Sequence, residues 1–332
     1  MPTESVRKYL APFWRATHVT ADPVVFIRDA GQDTAAHLLF PPETISAVTN
    51  AAGDVAYHEG VDYLVEAREG RIVRPAASRM PLTPPGTLGL SEPSQVHERL
   101  VTITYTHAPG LWSGYVPAEQ SALLPRTVKR LRSDDAITIC VMGDSISEGY
   151  DASGFRGVPP HQPPYASLLA RGLELARGRG VDLVNLAVGG WTTEHAEWQT
   201  PEVASHHPDL VVIAFGMNDA CYAEPSEFAS RVADLMAAVR NDCAGVEFLL
   251  VSPMLPTPEC DWVPIGRIQA YSESLAVMAN PGVAVADVTS VWGALLNRKH
   301  PHDLSGNGTN HPNDFGHRVY AQTLLATLGI HA

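Results

Sequence analysis

A chain of 332 residues, 45% hydrophobic and 18% charged, has enough apolar side chain for a full core and points to two domains of ordinary size. Its net charge of −13 argues against a nucleic-acid or anionic-membrane surface, because both ask for a basic footprint. No window approaches the roughly 18 unbroken apolar residues of a spanning helix, and the opening MPTESVRKYLAPFWRATHV lacks the apolar stretch of a secretory signal.

Residues 20 to 130 carry short β-type runs separated by turn residues: PVVFIR, AHLLF, TISAVTN, VDYLVEA, GRIVR and LVTITYTH. Their spacing predicts an antiparallel sandwich of jelly-roll type, with no helical period and with MPLTPPGTLGLSEP, residues 80 to 93, as a long loop. The polar link LPRTVKRLRSDD, residues 124 to 135, marks the boundary, giving domains 1–133 and 134–332. Beyond it the rhythm alternates. Strands are expected at 136–142, 181–188, 209–215, 246–252 and 282–288, as continuous apolar runs covered on both faces. Helical stretches separate them, YASLLARGLELARGRG, SEFASRVADLMAAVRND and GRIQAYSESLAVMAN, and DFGHRVYAQTLLATLG closes the series with Gly329 as its cap. The result is an α/β domain, a five-stranded parallel sheet flanked by helices.

Ligands of such sheets bind beyond the carboxyl ends of the strands. There stand Gly143-Asp144-Ser145, then Gly189-Gly190-Trp191, then Gly216-Met217-Asn218-Asp219, and before the last helix Asn310-His311-Pro312. A serine hydroxyl becomes a nucleophile when a neighbouring histidine takes its proton. The oxyanion that follows needs preorganised donors: the backbone N–H of Ser145 and of Gly190 and the side-chain amide of Asn218 supply three without charge.

The blocks VMGDSISEG, NLAVGG, IAFGMND and NHPNDFGH resemble the signature blocks of the SGNH, or GDSL, serine hydrolases, in order, over residues 137 to 311. The resemblance implies a three-layer flavodoxin-like fold and hydrolysis of small or carbohydrate-linked esters. It makes Ser145 the nucleophile, His311 the base, and Gly190, five residues after Asn185, an oxyanion donor with Asn218. The family usually places an aspartate three residues before the histidine, and here that residue is Gly308. Either Asp303 reaches back to orient His311 or the pair works as a Ser-His dyad. The G-x-S-x-G elbow of α/β-hydrolases does not fit Gly143-Asp144-Ser145-Ile146-Ser147.

Each residue also has an ordinary reading. Asp144 is expected to hydrogen-bond its own turn, Ser147 to cap, and the paired glycines to serve a βα turn. His300, His302, His311 and His317 enrich the tail, but no metal-ligand spacing such as H-E-x-x-H is present, so neither a metal nor a cofactor is expected. Trp191 and Tyr222, with Tyr150, Trp198 and Trp262, are candidate walls for a sugar ring or plain core. Cys140, Cys221, Cys243 and Cys260 form no CxxC pair and read as free thiols of a cytoplasmic protein. An N-terminal β-sandwich before an SGNH domain resembles some carbohydrate esterases, so a short-acyl, acetyl-type sugar ester is the expected partner, without nucleic acid or membrane. A homo-oligomer is compatible with the sequence. A lysophospholipase or thioesterase, and a non-catalytic carbohydrate-binding protein that kept the fold, are the rivals.

Overall fold

A computed structural model describes residues 3–27, 34–88 and 93–330. Arg28 of the first β run and residues 89–92 of the proline-rich stretch lie outside the described residues.

All six N-terminal runs touch strands: β1 His18–Val24, β2 Thr34–His37, β3 Thr44–Asn50, β4 Leu64–Glu66, β5 Arg71–Arg74 and β6 Val101–Thr106. They make two three-stranded antiparallel sheets, ordered β1-β6-β3 and β2-β5-β4. β6 alternates buried and half-buried residues, the pattern of a strand with one face on a core. The absence of helix expected there is corrected, since Pro93–Arg99 is helical. The boundary link is also helical, over Pro125–Arg132, because the buried Glu247 carboxylate accepts its first free N–H groups, Arg126 N at 3.0 Å and Thr127 N at 2.7 Å.

The second half is α/β. Its strands are β7 Thr138–Gly143, β8 Asp182–Asn185, β9 Leu210–Ala214, β10 Glu247–Val251 and β11 Val283–Ala286, all parallel, in the order β11-β10-β9-β7-β8. Renumbered within the sheet this is 5-4-3-1-2, the flavodoxin-like order, whose switch point falls between β7 and β9. β9, β10 and β11 are buried throughout, whereas β8, at the edge, is not. Helices Tyr165–Arg177 and Asp314–Thr327 pack together, and Pro225–Asp242 packs with Thr200–Ser205 and Ile265–Ala276, so helices flank the sheet. Past its end at Leu328 the last helix has Gly329 at φ +72°, with Gly329 N to Ala326 O and Ile330 N to Leu325 O closing it. No helix among the described residues is long and apolar enough to cross a membrane.

The halves share one continuous core, which runs from Val6 to Leu328. Helix Thr3–Leu10 lies on Tyr165–Arg177 and Asp314–Thr327. Gln322 Nε2 donates to the carbonyls of Tyr9, at 2.8 Å, and Ala11, at 3.2 Å. A second join is ionic. The fully buried Lys299 ammonium lies 3.0 Å from Asp22 of β1 and 3.4 Å from Asp303, and donates to His37 O at 2.7 Å. Burial alone would lower its pKa, but the two carboxylates outweigh burial and hold it above the ordinary lysine value.

Candidate active site

Ser145 opens the short helix Ser145–Glu148 immediately after β7, and Asp144 caps that helix by accepting the Ile146 N–H at 3.0 Å. Burial pushes the Asp144 carboxyl up to about 7. Ser147 points inward, its hydroxyl 2.7 Å from the Tyr165 hydroxyl, so the turn is locked from beneath.

Ser145 Oγ stands 2.9 Å from His311 Nε2, and His311 Nδ1 stands 2.9 Å from Asp151 Oδ2. An ionised carboxylate only accepts, so Nδ1 carries the proton and Nε2 is left with its lone pair toward the serine hydroxyl. Asp303 does not take this part. Its Oδ1 accepts Val25 N at 2.8 Å and its Oδ2 accepts His300 N at 3.0 Å, and Lys299 lies beside it. One oxygen thus ties the loop to Val25, just past β1, and the other caps the short helix Pro301–Leu304, and burial raises the carboxyl pKa. A dyad held by a backbone carbonyl is excluded in the same way, since Asp151 occupies the Nδ1 position.

Sequence pattern gives no sign of Asp151, which follows the nucleophile by six residues and precedes the histidine by 160. It sits at φ +65°, a left-handed position that aspartate tolerates better than most residues. The histidine loop makes room for it at Gly306, where a Cβ would meet Asp151 Cβ at 2.5 Å. Gly308, where the family aspartate was expected, has φ +77° and gives its carbonyl to Thr257 Oγ1 at 2.8 Å. The loop is built around Asn307, whose Oδ1 accepts the N–H groups of Thr309, Asn310 and His311 at 3.0, 3.1 and 3.0 Å. A Ser145–His311–Asp151 relay thus stands on the carboxyl edge of a flavodoxin-like sheet, with Gly143-Asp144-Ser145 at its elbow.

A model of the GDSL-like lipase/acylhydrolase family matches residues 141–319, more than half of the chain. The chain belongs to that family. Of solved structures, a two-domain esterase active on acetylated mannans is 18% identical, with a TM-score of 0.51 over 65% of this chain and 55% of that one. The lipase/acylhydrolase from Enterococcus faecalis is 22% identical, with a TM-score of 0.46 over 58% of this chain and 96% of its own. The match thus spans little more than half of the two-domain esterase. No curated protein matches the chain.

The remaining features of this GDSL-like acylhydrolase follow its family blocks. The Gly189 N–H donates to Glu148 Oε2 at 2.6 Å, which ties the glycine turn to the elbow helix. Gly190, at φ +81°, and Ser145 keep N–H groups with no protein acceptor among the described residues. Asn218 donates one amide hydrogen to Trp191 O at 2.9 Å and keeps a second. Asp219 accepts from both Thr193 N, at 2.9 Å, and Thr193 Oγ1, at 2.5 Å, so the third block is stitched to the helix Thr193–Ala196 that follows the second. Asn185 does the same for the elbow, donating to Ser147 O at 2.8 Å.

The candidate wall residues separate. Trp191 stacks on His195, with ring centroids 5.9 Å apart, and His195 meets Trp198 edge-on at 5.7 Å. Tyr222 is 81% exposed. The other histidines of the tail are structural: His302 bonds Glu259 at 3.0 Å, His300 Nδ1 accepts His302 N at 3.3 Å, and the buried His317 bonds Tyr150 O at 3.0 Å. Among the described residues no group of three or more His, Cys, Asp or Glu side chains could hold a metal ion. A cavity of about 540 Å³ lined by Arg126, Asp209 and Cys243 lies at the opposite, amino end of the strands.

Proposed function

We propose that the chain is a serine ester hydrolase that removes short acyl groups, acetyl foremost, from a carbohydrate. The observation that carries the reading is the relay of two 2.9 Å contacts from Ser145 through His311 to Asp151. Ser145 Oγ attacks the acyl carbon as His311 Nε2 takes its proton, while Asp151 stabilises the imidazolium. The Ser145 and Gly190 N–H groups and the free Asn218 amide hydrogen hold the oxyanion. His311 returns the proton to the alkoxy oxygen, the ester C–O bond breaks and the alcohol leaves. Water, deprotonated by His311, then cleaves the acyl-enzyme and restores Ser145.

The likeness to a two-domain esterase active on acetylated mannans supports a sugar as the alcohol half. In this reading residues 134–332 form the hydrolase unit and 1–133 the β unit that accompanies it. Four free thiols support a reducing, cytoplasmic setting. The test is labelling by a fluorophosphonate together with acetate release from acetylated methyl glycosides. The expected result is a single adduct on Ser145 and, for Ser145→Ala, a fall in turnover of about 10⁴-fold or more. A folded wild-type protein that takes up no label would overturn the reading, and a preference for octanoyl over acetyl esters would move it to the long-chain lipases and thioesterases.

A further inference from the structure

Two aromatic side chains beside the base have no part in the relay. The Tyr150 ring stands edge-on to the His311 imidazole, centroids 5.4 Å apart at 66°, and Phe155 lies 5.1 Å beyond it at 31°. Both are exposed, 37% and 45%. At its other end the Tyr150 hydroxyl lies within 3.2 Å of where a Cβ on Gly189 would stand. The phenol therefore lies between the base and the glycine turn.

The segment that carries them is fixed. Tyr150 N donates to Ser145 O at 3.0 Å, and Tyr150 O is held by His317 Nε2. Ser153 N donates to Asp314 Oδ1 at 2.8 Å, Gly154 N to Gln162 O at 2.8 Å, and Arg156 pairs with Asp151 at 3.5 Å. Exposed apolar rings held this firmly present a preorganised surface, because little conformational freedom is lost when a ligand covers them.

Resting on the serine-hydrolase reading above, we propose that Tyr150 and Phe155 form the leaving-group subsite, a wall on which the pyranose ring of a sugar ester packs its C–H face. The chemistry places the ring there. The alkoxy oxygen must come within hydrogen-bond reach of His311 Nε2 to receive its proton, so the ring bearing that oxygen lies beside the imidazole, where Tyr150 stands. A pyranose has an apolar face and polar edges, and a flat aromatic surface open to water suits both.

The experiment compares a mono-acetylated methyl hexopyranoside with ethyl acetate, which shares the acyl group and lacks the ring, on wild type, Tyr150→Leu, Phe155→Ala and the double variant. The ratio of kcat/KM for the sugar ester to that for ethyl acetate is expected to fall about tenfold in the double variant, chiefly through KM of the sugar ester. A ratio unchanged in all three variants, with fluorophosphonate labelling intact, overturns the wall alone. Absence of labelling in the wild type overturns the hydrolase reading and the wall with it.

Discussion

Asp151 orients His311 from the nucleophile's own segment, across 160 residues of chain, while Asp303, eight residues from the histidine, faces away into an ion pair. The two substitutions should therefore part company. Asp151→Asn keeps the shape but lets an amide offer its N–H toward Nδ1, which favours the wrong imidazole tautomer. Turnover of p-nitrophenyl acetate is expected to fall by about 10³ to 10⁴ with the fold intact. Asp303→Asn should instead lower the unfolding temperature and spare kcat, and the reverse pattern in steady-state kinetics and thermal melts would return the acid role to Asp303. Ser145, Gly190, Asn218 and His311 are legible as candidates because the first three stand within five residues of the end of a strand and His311 stands three residues before the last helix, so local pattern places them near the sheet edge. Asp151 is not, since its role depends on a left-handed turn at its own position and on a missing side chain at Gly306.

The last helix shows what periodicity can and cannot reveal. Its extent, 314 to 327, was readable from spacing and from the glycine that ends it. Its burial was not, because every residue from Phe315 to Thr327 is buried, polar ones included. The covering elements come from the far end of the chain: Arg318 donates to Thr20 O, and its guanidinium lies 4.3 Å from the Tyr9 ring centroid. Within this helix His317 accepts Tyr165 N at Nδ1 and donates from Nε2 to Tyr150 O, a neutral tautomer fixed at both nitrogens. Burial drives its pKa from 6.5 down to about 4. Between those values the unfolded chain binds the proton and the folded one does not, so stability rises with pH across that window. Going down through it, about 3 kcal/mol at most is lost on this account. Urea unfolding of wild type and His317→Gln at pH 7, 5.5 and 4.5 checks this, with the steeper decline expected in the wild type; parallel declines would remove His317 as the cause.

At the scale of the whole molecule, one hydrophobic core is continuous across residue 133. No local signal announces such a join, because the bond from Val25 N to Asp303 Oδ1 spans 278 residues. Its charged centre is exacting. Lys299→Met leaves Asp22 and Asp303 buried without their cation and should cost about 3 to 5 kcal/mol, the range seen when one member of a buried ion pair is removed. Equilibrium denaturation of the full chain measures it, and a loss under about 1 kcal/mol would show that the two carboxylates relax or take up protons without penalty. Asp303 also grips the histidine loop, since its carbonyl accepts Asn313 Nδ2 at 2.7 Å, just beyond His311. The order of assembly follows. Contacts of such long sequence separation form late in folding, after the loops between them have closed. The elbow bearing Ser145 lies on a strand that can pair with its near neighbours early. His311 stands 166 residues further along, on a loop tied through Asn313 and Asp303 to Val25 of the N-terminal half. A chain in which this join has opened is expected to carry a serine without its base.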